Sequence, residues 1–166
     1  MTQSRGNIMS KQSNTAVKTL VVRAQAYLCA LPLEHVIETM RPLPIEPLAG
    51  VPAFVRGMSI IRGEPTPVID LALLLGAPRE MPWRFVTIRA GDKQVALSVA
   101  AVAGVFEFDR QVMNQLPPML RGAGTDFVQS ISILDEQFLF ALRSGWKLPQ
   151  EVWQAMSKAQ VQEAAT

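Results

Sequence analysis

The chain has 166 residues, 49% of them hydrophobic and only 18% charged, enough for one compact domain with a sizeable apolar core. Its net charge of +2 is uneven. Arg5, Lys11, Lys18 and Arg23 make residues 1–33 basic, while the other 12 of the 16 basic residues face 14 acidic ones and leave the remainder at −2. The folded part thus lacks the clustered Lys and Arg that nucleic acid binding requires.

Residues 1–16 are polar, rich in Ser, Gln and Asn and without periodicity, which predicts a disordered tail ahead of a single domain over 17–166. No apolar run there has the form of a signal peptide, and no later stretch is long enough to span a bilayer. A cytoplasmic protein with no direct membrane insertion is expected. Thr19–Arg23 and Tyr27–Leu31 read as strands joined at Ala24-Gln25-Ala26, followed by a short turn from Pro32 to His35. Val36–Met40 is extended, and the prolines of Arg41-Pro-Leu-Pro-Ile-Glu-Pro47 enforce an irregular loop.

Val51 to Asp70 carries the most information. It reads as two apolar strands folded over a tight Arg62-Gly63-Glu64 turn, with Gly63 supplying the positive φ that a short hairpin needs. Alternation puts Val55, Gly57, Ser59 and Ile61 on one face and Phe54, Arg56, Met58 and Ile60 on the other. Pro65 and Pro67 remove two ladder donors from the same side of the second strand, so one side of it is expected to be unpaired. Asp70 suits the N-cap of a short helix over Leu71–Leu75 that Gly76 stops.

Phe85–Ala90, Gln94–Val99 and Val102–Phe108 read as further strands, and the aliphatic run from Val95 to Ala103 fits burial on both sides. Asp109 to Leu120 is a connection with a single helical turn at most. Phe127–Leu134 and Phe138–Leu142 form a last hairpin over Asp135-Glu136. From Pro149 the pattern turns helical, with Val152, Ala155, Met156 and Ala159 on one face. Nine or ten short strands and one sizeable helix argue for an all-β barrel or sandwich rather than a parallel α/β sheet. No internal repeat is strong enough to establish duplication.

The catalytic inventory is nearly empty. One cysteine excludes an internal disulfide and any cysteine-cluster metal site. Cys29 sits in an apolar strand and fits a buried structural thiol, while His35 has no second His or nearby Cys for a dyad. Arg121-Gly-Ala-Gly124 lacks the lysine of a phosphate loop, Ser144-Gly145 is a turn rather than a nucleophile elbow, and Asp135-Glu136 suits local turn bonding. No catalytic residue, cofactor or metal is assigned. A small β-barrel enzyme with an unrecognised carboxylate site stays as an alternative that no residue points to.

The central stretch resembles the CheW-like domain family, adaptor modules of bacterial chemosensory arrays. The resemblance rests on Pro52-Ala-Phe-Val-Arg-Gly57, Ile60-Ile-Arg-Gly63, Pro67-Val-Ile-Asp-Leu71 and Leu75-Gly76, with Tyr27 to Glu38 similar to the family's segment upstream, and runs from Val17 to Trp153. It implies two side-by-side five-stranded SH3-like barrels sharing a hydrophobic seam. It implies an adaptor coupling a chemoreceptor's cytoplasmic tip to the regulatory domain of a CheA-type histidine kinase; the alternative is a scaffold of a non-chemotaxis chemosensory or pilus-motility system.

Partner binding is expected at Val36, Glu38, Phe54, Arg56, Gly57, Ile60, Arg62 and Gly63. A solvated turn is the commoner role for an arginine like Arg62; the resemblance favours a bidentate anchor for a partner carboxylate, with Glu38 pairing to it. Gly57→Val is expected to block close backbone approach with little loss of stability. Three departures from the family pattern, Ile60 for the usual asparagine, Ala100 for an aspartate and Gly104 for an acidic residue, are expected on or near the seam.

Overall fold

The computed structural model describes residues 16–79, 81–111, 127–143 and 147–165, the last five through their backbone only. Its strands are β1 (Ala16–Ala24), β2 (Tyr27–Pro32), β3 (Val36–Met40), β4 (Val55–Ile61), β5 (Glu64–Asp70), β6 (Arg84–Ala90), β7 (Lys93–Val99), β8 (Ala101–Asp109), β9 (Val128–Leu134) and β10 (Gln137–Leu142). A 3-10 turn over Leu33–His35 joins β2 to β3, helix α1 (Leu71–Leu74) follows β5, and helix α2 (Gln150–Ala165) follows β10. The expected tail, the 112–120 connection, Arg121-Gly-Ala-Gly124 and Ser144-Gly145 lie outside the described residues, except that Ala16 already belongs to β1.

The strands form two five-stranded sheets, ordered β8-β1-β2-β10-β9 and β3-β6-β7-β5-β4. These orders are the same wiring under a circular permutation, in which β8, β9, β10, β1 and β2 correspond to β3, β4, β5, β6 and β7. Each sheet has three antiparallel neighbours and one parallel one, β2–β10 in the first and β5–β7 in the second. The β4–β5 and β9–β10 hairpins agree residue by residue at an offset of 73: Val55, Gly57, Val68 and Ile69 correspond to Val128, Ser130, Ala141 and Leu142, and both hairpins shift register at that bulge. Phe54 and Phe127, also equivalent, meet edge-on with ring centroids 5.7 Å apart. The N–H groups of Asp70 and Arg143 donate to their carbonyls at 2.7 and 2.8 Å. Side-chain chemistry has diverged too far for this duplication to be read from composition and spacing.

Burial follows from two-sided packing. One large core joins the sheets: Leu20, Val22, Cys29 and Leu31 of the first meet Val86, Val95, Leu97 and Val99 of the second, with Val152 and Met156 of α2 inserted among them. Intervening residues point into each barrel's own interior, Val21, Leu28 and Leu139 in one, Ile61, Val68 and Phe85 in the other. The α2 face through Val152 and Met156 is buried, with Ala155 and Ala159 half-buried beside it, as the periodicity predicts.

Two expectations change. The alternation across β4 breaks at the register shift between Val55 and Gly57, which leaves Arg56 as the extra residue and turns Val55 to the side of Met58 in the shared core, opposite Ile61. The Val95–Ala103 run is not one strand. Burial on both sides ends at Val99, and the chain bends at Ala100 to leave the second sheet and enter β8 of the first.

Candidate functional site

The edge strands β3 and β4 of the second sheet are linked at one rim by side chains rather than by a backbone ladder. At that rim Glu38 of β3 accepts two bonds from Arg62 at the hairpin tip, from Nε at 2.9 Å and from Nη2 at 2.8 Å, the bidentate geometry that suits guanidinium to carboxylate. Arg62 reaches this position because it and Gly63 both take positive φ, 50° and 81°, as a two-residue turn of the primed type requires. The bond from Arg62 holds the Glu38 carboxyl below its ordinary value and raises the guanidinium in turn, so the pair is ionised at neutral pH. The Arg62 side chain is still 79% exposed. Two residues earlier Ile60 is 58% exposed, and Ile37 on β3 is 44% exposed, an apolar flank to the charged rim.

A cleft of about 580 Å³ opens beside this rim, its lining including Ile37, Glu64, Pro65, Thr66, Lys93 and Trp153. It exists because the parallel β5–β7 ladder begins only at Val68, immediately after Pro67. The flank expected to be unpaired is the one facing β7, inside the sheet. On its other flank β4 exchanges both backbone bonds with Glu46 through Met58, each at 2.8 Å, so this edge is partly covered by its own chain.

The eight expected site residues separate into groups. Glu38, Ile60, Arg62 and Gly63 gather at the rim, and Val36 lies half-buried at the start of β3 against the shared core. Phe54 lies at the seam against Phe127. Arg56 and Gly57 are committed to the fold. The Arg56 side chain, only 14% exposed, turns inward to Asp70, its Nη2 2.8 Å from Oδ2, while Asp70 Oδ1 caps α1 by accepting from the Leu73 N–H at 3.2 Å. Gly57 sits at φ 144°, and a Cβ there would overlap the Glu46 carbonyl, coming within 2.7 Å of its carbon. The expectation that Gly57→Val spares stability is therefore corrected: the space over Gly57 is filled by the chain itself.

Residues 18–144 match the family described as the CheW-like domain. The chain belongs to the CheW-like domain family. No curated protein matches it. Among solved structures it is similar to the scaffolding protein TtCheW from Thermoanaerobacter tengcongensis, at 23% identity over 80% of this chain and 97% of that one, with a TM-score of 0.67. At that identity the likeness shows a shared fold.

As a CheW-like domain the chain places its departures unevenly. Ile60 stands on the outer surface of β4 rather than at the seam. Ala100 is half-buried at the bend between the sheets, its N–H donating to the Arg23 carbonyl at 2.9 Å, and Gly104 lies on edge strand β8 at φ 138°. No set of three His, Cys, Asp or Glu among the described residues could hold a metal. Burial pushes the Cys29 thiol upward, away from the reactive thiolate. No helix among the described residues is long and apolar enough to cross a membrane.

Sequence reasoning missed three contributors: Asp70 as counterion to Arg56, Glu46 as the cover of β4, and Phe127 as the partner of Phe54. The first had a signal, an arginine inside an otherwise apolar strand, which must find a carboxylate when buried. The other two depend on loop paths that no local pattern encodes.

Proposed function

We propose that the chain is a non-catalytic adaptor coupling a chemoreceptor's cytoplasmic tip to the regulatory domain of a CheA-type histidine kinase. Membership of the CheW-like family and the naming of its solved relative as a scaffolding protein support this. One observation carries it to particular residues. The Glu38–Arg62 pair is exposed, bidentate and dispensable to the architecture, because the equivalent places in the first barrel hold Gly104 and Asp135. An ion pair that the wiring can do without is best explained by what it presents outward.

Glu38 engages two of the five guanidinium N–H donors, and the outer edge of Arg62 is left to receive a carboxylate of the kinase domain. Ile60 and Ile37 supply apolar area beside it. The receptor tip packs against the half-buried apolar side chains Val36 and Phe54 at the edge of the shared core, and a shift of the receptor changes the kinase's orientation through this rigid body. Such coupling needs different contacts in the two signalling states. Each contact can be small and weak where an array supplies avidity.

Isothermal titration with a purified kinase regulatory domain and a receptor tip fragment tests the reading. Arg62→Glu should keep the circular dichroism spectrum and lower kinase affinity about tenfold or more, the effect of turning one attractive charge contact repulsive. Wild-type protein that ignores every such fragment, or turns over a small substrate, would overturn it. A second reading, the same mechanics in a pilus-motility system, is favoured by Ile60, Ala100 and Gly104 departing from the chemotaxis pattern. Co-purification of a receptor with the kinase from cells separates the two.

A further inference from the structure

Away from the rim, three segments from both sheets are tied together at the start of β6. The Gln25 amide, in the β1–β2 turn, donates to the Pro78 and Arg79 carbonyls at 3.2 and 3.5 Å. The Trp83 N–H donates to the Val99 carbonyl at 3.1 Å, and the Ala100 N–H to the Arg23 carbonyl at 2.9 Å. Arg84 pairs across the ladder with Val99, so the backbones of Arg23, Trp83 and Arg84 lie around one bend.

Out of this knot project the most exposed tryptophan and methionine among the described residues, Trp83 at 59% and Met81 at 69%. Arg23, Arg79 and Arg84 are exposed on the segments that this knot joins, Arg84 Nη1 donating to the Trp83 carbonyl at 2.9 Å, and none has a carboxylate within 4.0 Å among the described residues, unlike Arg56 and Arg62, each of which holds one. An exposed indole and a flexible thioether two residues apart offer a partner an apolar spot, with cations on the adjoining segments. Their support is already ordered by hydrogen bonds across two sheets, which lowers the entropic cost of binding.

We infer that this patch is a second docking surface, taking an acidic segment of a partner protein that carries an apolar side chain among its carboxylates. The carboxylates pair with Arg23, Arg79 and Arg84, and the apolar side chain lies on Trp83 and Met81. Charge selects the partner class. The patch, drawn from the end of β1 and the single segment that runs into β6, fits a protein segment better than a broad anionic membrane. The inference uses no residue of the Glu38–Arg62 rim and goes beyond the adaptor reading.

The test uses the full chain, 15N-labelled, and a synthetic peptide of Asp and Glu around a central Leu-Phe pair. A control peptide carries Asn and Gln in place of the acids, and vesicles of phosphatidylglycerol form the third arm. The acidic peptide should move the Trp83 indole N–H signal saturably, while the amide control leaves it in place. Trp83→Ala and Arg84→Glu should each weaken binding about tenfold, the loss of one anchoring contact, and Arg62→Glu should leave peptide binding unchanged. Equal binding of both peptides, an unmoved Trp83 signal, unaltered affinity in Trp83→Ala, or binding to vesicles alone would each overturn the inference. Loss of peptide binding with kinase binding intact would leave the adaptor reading standing.

Discussion

The β4–β5 and β9–β10 hairpins are one design carried out twice with different chemistry. Wiring, turn length and bulge agree, and Ile60 and Ile133 are exposed at equivalent places, 58% and 72%. Arg62-Gly63 at one tip is Asp135-Glu136 at the other, and Pro65 and Pro67 correspond to Phe138 and Phe140. The parallel ladder of β10 to β2 starts at Leu139, the equivalent of Thr66, whereas β5 waits until Val68 to join β7. The prolines thus cost the second barrel the early part of its ladder and open the cleft beside the rim. Divergence at the rim goes the same way: the bidentate Glu38–Arg62 pair of one barrel is replaced by Gly104 and Asp135 in the other. A closure that one copy lacks is not a requirement of the fold.

Changes inside the second barrel should do the largest damage. Asp70→Ala removes the carboxylate that Arg56 holds and uncaps α1, and should cost about 3–5 kcal/mol in urea unfolding, as expected on removing one half of a buried ion pair. Asp70→Asn with Arg56→Gln, the residue type found at the equivalent Gln129, keeps a cap and removes both charges; it should recover more than half of that loss. Should the double variant be as unstable as Asp70→Ala, the charges themselves, and not their mismatch, hold the bulge. Gly57→Val should cost about 2–4 kcal/mol through its positive φ and the overlap with Glu46. Ser130→Val at the equivalent bulge should cost less, because Ser130 has no positive φ.

At the rim the expected effect is on recognition. Glu38→Gln, Arg62→Gln and the double variant should melt close to the wild type, while their effects on kinase-fragment affinity are non-additive in a double-mutant cycle. Additive effects would mean that the two side chains act separately. The pH dependence has a definite sign. Because Arg62 holds the folded-state pKa of Glu38 below its unfolded value, the pair is fully formed above the ordinary value of 4.5 and is lost as the pH falls through the lowered one. A titration of binding from pH 7.5 to 5.5 should show no change that the Glu38→Gln variant removes.

Much of this architecture was legible because it is local. Val36–Met40 is a strand with the bounds its residues suggest, Asp70 caps α1, and the Arg62-Gly63 turn and the buried face of α2 follow from turn chemistry and period. The Glu38–Arg62 pair was legible too, because strand ends and a tip arginine constrain each other. What escaped was non-local. The extra residue at Arg56 breaks alternation without any glycine or proline to mark it on its own position, and the use of Gly57 is set by Glu46, brought over it by an irregular loop. The break at Ala100 escaped because small aliphatic residues suit a buried strand and a bend between sheets equally well.

The smallest expected effect tests the hairpin comparison most directly. Both turns place two residues at positive φ, 50° and 81° at Arg62 and Gly63, 49° and 66° at Asp135 and Glu136. Glycine takes the second position at no steric cost in one tip, whereas glutamate there bears the left-handed penalty of about 1–2 kcal/mol, offset in Glu136→Gly by the larger entropy of an unfolded chain with glycine. Glu136→Gly should therefore stabilise the protein by about 0.5–1 kcal/mol, and Gly63→Glu should destabilise it by a similar amount. The two changes are mirror images on one backbone, so opposite signs establish that the turns are conformationally equivalent. If Glu136→Gly gains nothing, the glutamate side chain compensates its own backbone through local bonding, and the two tips, alike in wiring, are held by different forces.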